Sequence, residues 1–178
     1  MKPTEVVSHD TPAGPATPGP PATAPYDTSG GATSCNTVCV LPIAQEWQLD
    51  LAPTGSASRV ARVHARTCLT VLGWRGRNHA AIAITDRLVR NAVAYGGRYD
   101  GQPAPIRLRL AVTEKGQLLI EVSDSNPSFP NFADAVLGER GQGLWEISRM
   151  GGHLSWFLPQ SMNGKTVRAL VAPGPVSP

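Results

Sequence analysis

The chain has 178 residues, of which 41% are hydrophobic and 16% are charged, and its formal net charge is +3. That length and apolar content suffice for one folded domain but not for two of ordinary size. The charge excess is modest and its arginines are scattered, which argues against nucleic-acid binding.

Cysteine usage and the apolar pattern indicate a protein of the cytoplasm. Cys35, Cys39 and Cys68 are too few for a disulfide framework, and no second Cys or His pair completes a zinc site beside Cys35 and Cys39. No stretch of about 18 apolar residues occurs, so no membrane span is expected. Residues 1–5 lack the apolar segment of a secretory signal. We therefore expect a soluble cytoplasmic protein with reduced thiols.

The first 45 residues differ in composition from the rest. Between Pro12 and Pro25, prolines alternate with Ala, Gly and Thr, and Ser29-Gly30-Gly31 follows. Such a segment buries too little apolar surface to offset its ordering entropy. We expect a disordered tail at 1–45, a folded domain at 46–173 and a short tail at 174–178. The first tail is most simply a solvated extension, with partner docking as the alternative.

The folded part begins with a strand and two helices. Residues 46–51 alternate between apolar and polar, which predicts a half-buried strand. A helix follows from a cap at Ser56 or Ser58 to Gly73, with an outer stripe of arginines. A second helix is expected from residue 78 or 79 to Tyr95, where Gly96-Gly97 ends it.

The second half of the domain alternates strands with one short helix. Strands are predicted at 106–110 and 118–122, joined by a turn at 114–117. An irregular stretch with Pro127 and Pro130 is a candidate mobile lid, and a short helix starts near Gly143. Final strands at 153–158 and 166–171 are joined by a turn at Asn163-Gly164. This order predicts an α+β fold, a two-layer sandwich whose mixed, mainly antiparallel sheet carries its helices on one face.

Three features have side chains or backbone suited to a nucleotide. Asp124 ends an apolar strand, where a carboxylate can accept a hydrogen bond from an exocyclic amine, although Asp there is usually turn chemistry. Gly141 and Gly143 precede a helix, where backbone N–H groups can approach phosphates. Asn91 lies within a helix despite its poor propensity, and its amide oxygen suits Mg²⁺. Each feature alone is common.

Together these features resemble the histidine-kinase-like ATPase superfamily, and within it the small anti-sigma-factor serine/threonine kinases of actinobacteria. The resemblance covers about residues 46–172 and lies in four segments in the family's order. They are Asp86–Val93, Glu121–Pro127, Gly141–Leu144 and Gly164–Val167. The resemblance implies the fold of that superfamily.

The resemblance also implies roles for particular residues. Asn91 would hold Mg²⁺, Asp124 would bind the adenine amine, Gly141 and Gly143 would bind the phosphates of ATP, and Thr166 would help hold adenine. The activity implied is phosphorylation of an antagonist protein. The implied partners are that anti-sigma antagonist, a sigma factor, or both, and a homodimer is possible.

Arg87 departs from the family pattern. The family normally has Glu one helical turn before the Asn, as base toward the group that attacks the γ-phosphate, whereas Arg cannot serve as a base. Asp86 lies about 100° around the helix and would point elsewhere. The alternative to an active kinase is therefore a non-catalytic ATP-binding switch or partner-binding module. A scaffold without nucleotide, or an Arg87 that simply points to solvent, also stays open.

Overall fold

The computed structural model describes residues 41–99, 102–159 and 164–174. In chain order the elements are β1 (Ile43–Leu51), α1 (Ala57–Val71), α2 (Asn78–Tyr95), β2 (Arg98–Tyr99), β3 (Gln102–Pro103), β4 (Ile106–Thr113), β5 (Leu118–Asp124), α3 (Phe132–Leu137), α4 (Gly143–Arg149), β6 (Gly152–Phe157) and β7 (Lys165–Val171). Most of the predicted 1–45 tail, and the last residues of the 174–178 tail, lie outside the described residues.

Five strands form the main sheet in the order β1-β4-β5-β7-β6, and β2 pairs with β3 separately. Every pairing found within the described residues is antiparallel. The predicted α+β sandwich is confirmed, with a sheet more regular than the mixed one expected. An antiparallel sheet can carry the core on one face while the other face stays polar.

The period-two alternation of the strands gives the sheet two unlike faces. The face toward the helices is apolar and includes Leu108, Leu110, Ile120, Val122 and Ala169, all of them buried.

The opposite face carries a row of alternating charges, which we call the charged ladder: Glu46, Arg109, Glu121 and Arg168. Glu121 accepts hydrogen bonds of 2.7 Å from Arg109 Nη1 and of 2.7 Å from Arg168 Nε. The ladder satisfies the buried Glu121 carboxylate on both sides, so that face needs no apolar cover.

The two long helices pack on the apolar face through small residues. The buried side of α1 includes Ala57, Ala61 and Ala65, and that of α2 includes Ala81, Ile84 and Leu88. Both helices follow the i, i+3/i+4 spacing that sequence patterning predicted. Alanines let the helix backbones approach the sheet closely. None of the helices in the described segments is both long and apolar enough to span a membrane.

The structure differs from the sequence-based expectation in a few details. β1 begins at Ile43 rather than at Glu46, just after Pro42. Ser56 is the N-cap of α1, but its hydroxyl makes no capping hydrogen bond and instead lies 2.8 Å from Thr54 Oγ1. The stretch expected to be irregular contains the helix α3. Cys68 is a buried free thiol in α1, and its burial raises the pKa of that thiol.

Candidate functional site

A cavity of about 710 Å³ opens between α2, the segment 126–144 and the start of β7. From α2 it is lined by Arg87, Arg90, Asn91, Ala94 and Tyr95; from the rest of the chain, by residues 126, 128–131, 135 and 140–144 and by Lys165. We call this the main cavity. The second helix, the predicted lid and the sheet margin therefore share one space.

The exposed side of α2 brings Arg87, Arg90 and Asn91 to the main cavity, because residues three and four apart share a helix face. Arg87 forms an ion pair with Glu146 of α4. The carboxylate of Asp86 is 2.9 Å from Arg90 Nε and 3.5 Å from Arg62 Nε of α1. Asp86 thus belongs to the α1–α2 contact, and it does not line the main cavity.

Gly141 and Gly143 form the turn that starts α4 and lines the main cavity. Gly141 has φ +83°, a conformation that other residues adopt at a cost, and Gly143 begins the helix. A Cβ at either position would meet no heavy atom within 4 Å. The space beside both backbones is therefore open. The assignment of Gly141 and Gly143 to phosphates stays a prediction.

Asp124 and Lys165 form a buried ion pair where β5 and β7 meet. Lys165 Nζ lies 2.8 Å from Asp124 Oδ1 and 3.2 Å from the Asn126 carbonyl oxygen. Both side chains are only 2% exposed. Burial raises the pKa of Asp124, and the hydrogen bonds from Lys165 and from the Asn126 N–H oppose that rise.

Gly164 makes this close approach of the two strands possible. Its φ is +125°, and a Cβ there would overlap the carbonyl oxygen of Asp124. Only glycine fits at this backbone crossing.

Asp124 does not line the main cavity. It lines a separate cavity of about 160 Å³ with Ala92, Gly96, Gly97 and Ile106. The main cavity is lined at this point by Lys165 instead of Asp124.

Thr166 lies on the opposite sheet face, where its hydroxyl is 2.8 Å from Ser123 Oγ. Sequence reasoning missed Lys165 as a residue of this site. The alternation of β7 does indicate its position: Lys165 shares the helix-facing side of the sheet with Val167 and Ala169, while Thr166 shares the other side with Arg168.

The segment over the main cavity is attached at its start by aromatic and amide contacts. The ring of Phe129 lies 5.0 Å from that of Phe132 and 6.1 Å from that of Trp156 in β6. Asn126 donates through Nδ2 to the Tyr95 carbonyl oxygen at 2.9 Å. The predicted lid is therefore joined to both α2 and the sheet.

The main cavity presents cations to a ligand. Arg87, Arg90, Arg140 and Lys165 line it, and within the described ranges no Asp or Glu does. The carboxylates that pair with these arginines belong to Glu146, Asp86 and Asp134, which do not line the cavity. No group of three or more His, Cys, Asp or Glu side chains among the described residues is placed to hold a metal ion. The arrangement suits a polyanion.

Comparison with known proteins supports the fold. No protein-family model matches the chain, and no curated protein matches it. Among solved structures, the RsbU and RsbW domains of Rv1364c from Mycobacterium tuberculosis match at 17% identity and a TM-score of 0.50, over 74% of this chain and 34% of that one. The chain thus spans about a third of that protein chain's length.

The SiaB–SiaC complex from Pseudomonas aeruginosa matches at 15% identity and a TM-score of 0.48, over 70% of this chain and 88% of the other. The structural similarity to the RsbU and RsbW domains confirms the fold that was predicted from the sequence.

Proposed function

We propose that the chain is an ATP-binding regulatory protein that resembles an anti-sigma-factor serine/threonine kinase and acts by binding partner proteins. The observation that carries the proposal is the meeting of Asn91, Gly141, Gly143 and Lys165 on one cavity of about 710 Å³. That volume lies within the range usual for small-molecule sites. The open backbone at the two glycines provides for the phosphates, and the Lys165 end provides for the base.

The sequence-based roles fit this orientation to different degrees. Gly141, Gly143 and Asn91 lie at the phosphate end beside the arginines. Asp124 does not line the main cavity, so a contact with the adenine amine requires Lys165 to release its hydrogen bond to Asp124. Thr166 acts on the site through Ser123, since their hydroxyl groups join β5 to β7 at the margin. The assignment of Mg²⁺ to Asn91 stays a prediction.

A specific observation favours the non-catalytic alternative. The position of the family's base holds Arg87, and Arg87 is paired with Glu146. A guanidinium cannot accept a proton at physiological pH. We therefore propose an ATP-binding switch whose nucleotide state controls which partner proteins it binds. Phosphoryl transfer to an antagonist protein is the alternative, and it requires a catalytic base in addition.

The partner and location follow from the resemblance. We propose an anti-sigma antagonist or a sigma factor as the partner, in the cytoplasm, with a homodimer as one possible assembly. Co-purification with the candidate antagonist, with and without ATP, tests the partner.

Calorimetric titration of the full chain with ATP tests the nucleotide site. We expect saturable binding that Gly143→Val abolishes, because a branched side chain there projects into the main cavity. Ser148→Val is the matched control on the exposed side of α4. Absence of ATP binding by the folded wild-type chain would overturn the proposal.

Incubation with labelled ATP and the antagonist separates kinase from switch. The switch predicts no transfer by the wild type and measurable transfer by Arg87→Glu, which restores a carboxylate one turn before Asn91. Efficient transfer by the wild type would instead establish the kinase.

A further inference from the structure

We infer that this chain binds its nucleoside triphosphate without a divalent cation, because the arginines of the main cavity supply the charge neutralisation that Mg²⁺ ordinarily provides. The inference rests on the proposed function and deepens it by specifying that the ligand is the metal-free triphosphate. It also disagrees with the sequence-based assignment of Mg²⁺ to Asn91.

The donor set of the main cavity does not suit a protein-held Mg²⁺. Mg²⁺ is usually bound through one or two carboxylates together with phosphate oxygens and waters. The residues described along this wall offer only uncharged oxygens, such as the amides of Asn91 and Gln142. No cluster of acidic or imidazole side chains in the described part of the chain compensates for that.

The same wall suits phosphate oxygens directly. Arg87, Arg90 and Arg140 line it beside Gly141 and Gly143. A guanidinium can donate two parallel hydrogen bonds to a phosphate, which an ammonium cannot do. Arg87 lies one helical turn from Asn91, so its charge also repels a cation held at that amide.

The three arginines that line the wall are each held by an ion pair with a carboxylate that does not line it. Arg87 pairs with Glu146, and Arg90 Nε lies 2.9 Å from Asp86 Oδ2. Asp134 lies 3.8 Å from Arg140 Nε. A guanidinium carries five N–H donors, so each arginine keeps further donors for a ligand.

Calorimetric titration of the full chain with ATP, in excess Mg²⁺ and in excess EDTA, tests the inference. We expect dissociation constants that agree within about threefold in the two buffers. A loss of about tenfold or more in EDTA would overturn the inference while leaving ATP binding established. No binding in either buffer would instead overturn the proposed function, so the two failures are distinguishable.

Charge variants at position 87 give a second measurement. Arg87→Gln should weaken binding by about tenfold in EDTA and by less in Mg²⁺, because the metal then replaces the lost charge. Arg66→Gln, which removes the same charge from the exposed side of α1, is the matched control and should change neither value. Equal weakening of Arg87→Gln in both buffers would contradict the inference. A thermal unfolding curve for each variant confirms that the folded chain is being titrated.

Discussion

Arg87 of α2 and Glu146 of α4 form an ion pair at the edge of the main cavity. The pair joins the helix that carries Asn91 to the helix that Gly143 begins. The pair thus adds a contact between side chains that are 38% and 31% exposed to the packing of α2 on α4. Arg87 therefore has a structural role in addition to its place on the cavity wall.

A double-mutant cycle of Arg87→Met and Glu146→Gln measures that link. We expect a coupling free energy of unfolding of about 0.5–1 kcal/mol, since solvent screens a half-exposed pair. Urea unfolding of the four proteins provides the values. Strict additivity of the two single changes would show that the pair contributes nothing to stability.

The buried pair of Lys165 and Asp124 should be far more sensitive. Lys165→Met leaves the Asp124 carboxylate buried without its cation, so we expect a loss of about 3 kcal/mol in the free energy of unfolding. The double change Lys165→Met with Asp124→Asn should recover part of that loss, because no buried charge remains. Urea denaturation checks both. A single variant as stable as the wild type would mean that Asp124 finds another partner or is protonated.

Gly141 and Gly143, at the start of α4, should respond differently to alanine. Gly141→Ala forces a Cβ into a left-handed backbone at φ +83°, which we expect to cost about 1 kcal/mol of stability. Gly143→Ala should be neutral or slightly stabilising, since Gly143 has no positive φ and Ala is the better helix former. Thermal unfolding distinguishes them, and equal losses at both positions would contradict the assignment of strain to Gly141 alone.

Thr166→Val tests whether this residue touches the base directly. Its hydroxyl lies on Ser123, on the sheet face opposite the main cavity. We expect a loss of about 1 kcal/mol in stability from the broken hydrogen bond and a change in ATP affinity of less than about twofold. Calorimetry and urea unfolding on one protein sample report both. A tenfold loss of affinity at unchanged stability would restore the direct adenine role implied by the resemblance.

The charged ladder predicts an acid dependence at Glu46. The hydrogen bond and charge of Arg109 hold the pKa of Glu46 below its ordinary value of 4.5. A carboxyl with a lowered folded-state pKa contributes stability that is present above the unfolded pKa and lost as the pH falls through the folded one. When the pH falls from 7 to below 4.5, the free energy of unfolding of Glu46→Gln should therefore decrease by less than that of the wild type. Parallel acid losses in both proteins would exclude Glu46 as a contributor.

Much of the fold was predictable because its elements carry strong local signals. α2 runs from Asn78 to Tyr95, at the bounds set by its apolar spacing and by Gly96-Gly97. α3 escaped prediction because it is short, lies close to two prolines and begins after Asn131 in a left-handed conformation. Its position is fixed by tertiary packing of Phe132 on Phe129 and Trp156, which a single-sequence pattern does not contain.

The site was predictable only in part, for a geometric reason. Asn91, Gly141 and Gly143 lie on elements whose exposed side follows from local pattern, and they meet in one cavity. Asp124 and Thr166 lie at the ends of paired strands. Which cavity a side chain lines there depends on the residue opposite it in the neighbouring strand. Lys165 opposite Asp124, and the Cβ-free Gly164 before it, decide that outcome.

The aromatic cluster of Phe129, Phe132 and Trp156 holds only one end of the segment over the main cavity. Toward the other end, Gly138 at φ +86° and Gly141 at φ +83° mark the backbone positions best able to reorient. The wall over the main cavity is therefore held by ring packing at one end and ends in two glycine turns at the other.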